Sequence, residues 1–158
     1  MTGTSVVITG LTNGKKFFFK MAAINAGGTS PLSNEVSATP ILAQVDLIIT
    51  NIALNPASPT ANSLFTVTIT VKNQGAARGM GGYLDLWDDQ PTVRGCAAAG
   101  NAWAEIGILE AGASKNLTVP MTAGSAGSKT LRAFADSWCV ITESDDGNNQ
   151  LTQVYTVQ

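Results

Sequence analysis

From Phe65 to Val71 the chain alternates with a period of two. Phe65, Val67, Ile69 and Val71 fall on one side, and Thr66, Thr68 and Thr70 on the other. Only an extended backbone, whose successive side chains point to opposite faces, turns such a run into one apolar and one wettable surface. A half-buried strand of this kind needs a second layer to cover it. Similar runs are read at residues 5–9, 16–25, 35–39, 46–54, 83–87, 104–109, 116–121, 129–136 and 153–157, and no stretch carries a convincing helical period. Asn13-Gly14, Ala26-Gly27-Gly28, residues 79–82 and residues 124–127 punctuate them as turns. The expectation is an all-β chain built as an immunoglobulin-like β-sandwich.

A length of 158 residues holds one sandwich of about 100 residues with a real core, plus part of a neighbour. Charged residues make up 13% of the chain against 44% hydrophobic, with 16 glycines, so Thr, Ser, Asn and Gly must cover much of the surface. That palette suits an exported β-protein. The net charge is -2 and the nine Lys and Arg are scattered, which offers no surface for phosphates, so nucleic acid is not expected as a partner. No run of about 18 apolar residues occurs, which speaks against membrane insertion. Met1-Thr2-Gly3-Thr4 lacks the basic start and apolar stretch of a signal peptide, so an export address is expected upstream of this chain. There is no histidine. Its absence removes the usual general base, the Ser-His and Cys-His nucleophile pairs and imidazole-bound metals, and the chain is expected not to be an enzyme.

A module boundary is expected near Thr39-Pro40-Ile41-Leu42-Ala43-Gln44, where Pro40 restricts the residue before it and the alternation restarts at Asp46. This divides the chain into residues 1–40, a linker at 41–45, and a module at 46–158. Within the first segment, Ile8-Thr9-Gly10-Leu11-Thr12-Asn13-Gly14, residues 17–25 and residues 28–39 together resemble the last three strands of a fibronectin type III domain. Phe17 stands where that family has its corner tyrosine, so the hydroxyl tie of the tyrosine corner is missing. Three strands cannot close a sandwich, and Phe17, Phe19 and Met21 lack the opposing sheet that the resemblance implies. The segment is expected to self-associate, to dock on the second module, or to be poorly ordered.

In the second segment, Asp46-Leu47-Ile48-Ile49, Asn55-Pro56-Ala57-Ser58-Pro59-Thr60, residues 67–75, residues 109–114, Ala135-Asp136 and residues 143–149 carry another likeness. This segment resembles a CARDB module, the cell-adhesion-related domain of bacterial and archaeal surface proteins, which has an immunoglobulin-like sandwich fold. The resemblance implies adhesion or spacing in large exported proteins and supplies no general catalytic residue set.

Three groups of residues are candidates for more than packing. Cys96 and Cys139 are the two cysteines, 43 positions apart, and are read as a structural disulfide in preference to two free thiols. Asp136, Glu143, Asp145 and Asp146, with Asn148 and Asn149, form the densest set of oxygen ligands and raise calcium as a possible cofactor. Turn capping by the same side chains is the competing and favoured reading. Tyr83 and Trp87 share a parity opposite Leu84 and Leu86; with the leucines inward, both rings would stand on an outer face and stack on a carbohydrate. Trp103 and Trp138 are read as partial core or edge residues. The leading expectation is a non-catalytic structural or adhesion module of a secreted or cell-surface prokaryotic protein, which spaces or presents other domains. The alternative is a carbohydrate-binding accessory module of a secreted hydrolase.

Overall fold

The computed structural model describes residues 5–158. Met1–Thr4, on which the signal-peptide reading rests, lie outside them. Every regular element among the described residues is a strand, and none of them forms a helix long and apolar enough to cross a membrane. Residues up to Leu42 make one compact unit and those from Ala43 onward another.

The first unit contains four short strands rather than three long ones. β1 (Phe17–Phe19) pairs antiparallel with β4 (Val36–Ala38), and β2 (Ile24–Asn25) with β3 (Gly28–Thr29) across the Ala26-Gly27 turn. The run at residues 5–9 forms no strand. None of residues 5–42 is buried. Of the three aromatic residues, Phe17 and Phe19 are partly covered, and it is Phe18, with Met21, that faces water.

The second unit is the sandwich. β5 (Leu47–Asn55), β6 (Leu64–Asn73) and β11 (Ser114–Thr122) form one antiparallel sheet in the order β11-β6-β5. β8 (Tyr83–Trp87), β9 (Ala102–Glu105), β12 (Gly127–Ala135) and β13 (Gln150–Val157) form the other in the order β13-β12-β8-β9. Two short strands, β7 (Gly79–Met80) and β10 (Ile108–Leu109), pair with each other. Inward residues of both sheets meet in one core. Leu47, Ile49, Ile52, Phe65, Val67, Ile69, Val71, Leu117, Val119 and Met121 come from the first sheet, and Leu84, Leu86, Leu131, Ala133, Ala135, Tyr155 and Val157 from the second. Such interdigitation of two inner faces is what the alternation requires.

The outer face of the three-stranded sheet is dressed with hydroxyls, as the sparse charge demands. The Thr68 and Thr118 hydroxyls, on cross-strand partners, lie 3.0 Å apart, and Thr70 Oγ1 donates to Asn116 Oδ1 at 2.9 Å. In β5 the register against β6 shifts between Ile49 and Asn51. This bulge at Thr50 lets Leu47, Ile49 and Ile52 all face inward despite the broken parity.

Candidate functional site

With Leu84 and Leu86 in the core, Tyr83, Asp85 and Trp87 of β8 face the other way. So do Arg132 and Phe134 of β12, which stand opposite Trp87 and Asp85 in register. This outer face is not open. The segment between β8 and β9, residues 88–101, folds across it, and Trp87, Asp85, Arg132 and Phe134 are all buried.

Specific bonds hold that segment in place. Arg132 donates from Nε to the Gln90 carbonyl, from Nη2 to the Pro91 carbonyl at 2.7 Å, and from Nη1 to Gln150 Oε1. Its burial lowers the guanidinium pKa from the usual value. Gln150 also bonds both ways to the Arg94 backbone. The Arg94 guanidinium lies 5.5 Å from the centre of the Trp87 ring, whose Nε1 donates to the Ala99 carbonyl. Gly100 approaches β8 so closely that a Cβ there would stand 2.5 Å from the Leu86 carbonyl oxygen. Cys96 is joined to Cys139 across a Cα separation of 5.5 Å, which fastens the segment to the turn that follows β12.

The stacking platform of Tyr83 and Trp87 is therefore not formed, because Trp87 is only 6% exposed under Arg94. Trp103 takes its place beside Tyr83. These rings meet edge to face, with centres 5.7 Å apart and planes 77° apart. Trp103 and Trp138 are 65% and 50% exposed, so of the reading as partial core or edge residues the core part falls, while Trp103 does stand on the edge strand β9. With Asp85, Ala99 and Gly100 the three rings line a cleft of about 470 Å³. Asp85 sits in its lining, accepting hydrogen bonds from Gly100 N at 2.8 Å and from the Ser137 hydroxyl.

The acidic residues at the other end of the turn do not converge. Asp136 accepts from Ile141 N at 2.9 Å and Val140 N at 3.3 Å in a left-handed conformation, φ 47°. Burial raises its pKa against those two bonds, with the nearby Asp146 charge adding to the rise. Glu143 accepts from Leu47 N and from Asn149 Nδ2, and burial pushes its carboxyl up to about 7. Asp145 caps the Gly147 amide of its own turn. Asp46 ties the corner together, accepting from Gln74, Ser144 and Asn148 side chains. Among the described residues no three His, Cys, Asp or Glu stand as a metal-binding group. Asp136, Glu143, Asp145 and Asp146 are not assembled as a calcium set, and the first three cap backbone amides instead.

A sandwich braced in this way by a loop and an acidic corner matches the CARDB family model over residues 44–153. The chain belongs to the CARDB family. Solved structures similar to it include the CARDB domain of a Pyrococcus furiosus protein in complex with di-metal ions, 20% identical, with a TM-score of 0.56 over 73% of this chain and 90% of that one. The solution structure of the same archaeal domain is 19% identical, with a TM-score of 0.54 over 73% of this chain and 97% of that one. A domain of a putative cell surface protein from Methanosarcina acetivorans is 25% identical, with a TM-score of 0.53 over 70% of this chain and 91% of that one. No curated protein matches the chain.

In this CARDB domain the covering segment is what reading by parity missed. A signal for it is nevertheless present. Tyr83-Leu84-Asp85-Leu86-Trp87 and Leu131-Arg132-Ala133-Phe134-Ala135 carry large residues at both parities. Strands covered on both faces have that composition, whereas half-exposed strands do not.

Proposed function

We propose that the chain is a non-catalytic structural and adhesion module of a secreted or cell-surface prokaryotic protein, which spaces or presents the domains next to it. The supporting observation is the brace over the four-stranded sheet. One disulfide and the Arg132 fork hold an otherwise irregular segment rigid, so that both faces of the sheet are packed around Asp85, Trp87, Arg132 and Phe134. A disulfide between Cys96 and Cys139 fits an oxidising, extracytoplasmic setting. CARDB is a non-enzymatic family, and the likeness to a domain of a putative cell surface protein points the same way.

The Pyrococcus relative was solved in complex with di-metal ions, whereas no three His, Cys, Asp or Glu stand as a metal-binding group among the described residues here. The carboxylates of Asp136 and Glu143 already accept backbone amides, and the nearby Asp146 does not complete a metal-binding group with them.

Force spectroscopy on a tandem polyprotein tests the spacing role. Under oxidising conditions a single unfolding step is expected, with its length gain shortened by the 43 positions that the disulfide spans. A module that extends with no resolvable force peak would overturn the reading. So would turnover of a peptide, ester or glycoside that Asp136→Asn or Glu143→Gln abolishes.

A further inference from the structure

The cleft of Tyr83, Trp103 and Trp138 is left without a task by a purely structural role, and its make-up is selective. Two of its rings, Tyr83 and Trp103, stand 77° apart, so they form a corner rather than a flat platform. Trp138 supplies another wall, held by the neighbouring Cys139 disulfide. A corner of aromatic faces encloses a compact rounded group, whereas the flat ring of a sugar calls for a level surface and several hydrogen-bonding groups around its rim.

Charge narrows the choice further. Asp85 is the one ionisable carboxylate in the lining, and it has no ion-pair partner among the described residues. Glu105 is the cross-strand partner of Tyr83, so it points to the same side, and it too is without a salt bridge among the described residues. No Lys or Arg lines the cleft. Aromatic faces carry negative potential and attract cations, most strongly where water is displaced.

We infer that this cleft binds a methylated ammonium group, caged by Tyr83, Trp103 and Trp138 over the Asp85 carboxylate. With no basic residue in the lining to meet a phosphate or carboxylate, the favoured ligand is one whose remainder is uncharged, such as choline rather than phosphocholine.

Tryptophan fluorescence of the oxidised chain of 158 residues, titrated with choline and tetramethylammonium, tests this. Saturable binding of both is expected, together with at least about tenfold weaker binding of neutral 3,3-dimethylbutanol, which has the same shape without the charge. Trp103→Ala and Trp138→Ala should each weaken choline binding by about tenfold while leaving the circular dichroism of the fold unchanged, since both side chains are exposed. Equal affinity for the neutral isostere would overturn the inference, as would absence of saturation or preferential binding of an oligosaccharide. Tighter capture by phosphatidylcholine vesicles than by free choline would overturn the choice of an uncharged remainder.

Discussion

Glu143 accepts a hydrogen bond from the backbone N–H of Leu47, joining the acidic loop to the first strand of the sandwich across 96 positions. Ser144 N donates to Val45 O beside it, and Asn149 Nδ2 donates to the other carboxylate oxygen of Glu143. This corner closes the sandwich at the end where its first and last strands meet.

The corner predicts a pH dependence of stability. Burial lifts the Glu143 carboxyl to about 7 in the folded chain, against roughly 4.3 when unfolded. The folded state therefore holds this proton more tightly. The resulting stabilisation is fully present below the unfolded value and is lost as pH rises from about 4.5 to 7, with a size of order 3 kcal/mol. Urea denaturation at steps across that range should show the decline. Glu143→Gln, which cannot ionise, should flatten it.

Reduction of the disulfide should cost stability without dismantling the core. Cys96 and Cys139 close a loop of 43 positions, and the chain-entropy relation sets the loss at about 4 kcal/mol at most. The core residues of β5, β6, β8 and β13 lie outside that loop. A reduced chain should keep its far-ultraviolet circular dichroism, lower its denaturation midpoint, and expose residues 88–101 to proteolysis.

Arg132 gives a sharper test of the covering segment. Its guanidinium meets two backbone carbonyls and the Gln150 amide oxygen, so truncation leaves several buried acceptors unpaired. Arg132→Leu should destabilise by about 2–4 kcal/mol. Arg132→Lys should restore less than half, because an ammonium cannot reproduce the fork. Hydrogen exchange should locate the loosening at the Gln90 and Arg94 amides.

How far the sequence revealed this molecule depended on water. β6 is readable because one of its faces is solvated, so Thr66, Thr68 and Thr70 mark the outside and Phe65, Val67, Ile69 and Val71 the inside. Asn73 and Gly75, among the residues that carry the CARDB likeness, form a turn in which Asn73 Oδ1 accepts from Gly75 N. β8 is another matter. The parity of Tyr83 and Trp87 was correct, yet parity cannot show that a distant irregular segment lies over one of them. Only the pairing of Cys96 with Cys139 and the reach of Arg132 decide that, and both are long-range. Residue type alone leaves Trp103 and Trp138 as partial core or edge residues, since large aromatics are usually covered, and it is the edge position that Trp103 takes.

The first unit gives the last prediction. Phe18, Met21, Ile24, Leu32 and Val36 are each more than half exposed, and none of residues 5–42 is buried. Covering one such side chain contributes about 1.5–3 kcal/mol, so even a partial pairing of two copies would outweigh much of the entropy of association. Light scattering at two concentrations should show a mass that rises toward a dimer for residues 1–158. The mass of residues 43–158 alone should stay monomeric at both. Phe18→Ser combined with Ile24→Ser should return the full chain to a monomer, since it removes two of the largest exposed apolar groups while leaving β1 and β4 able to pair through their backbones. A full chain that stays monomeric at both concentrations would mean that these side chains are tolerated in water, and would remove self-association from the role of this module.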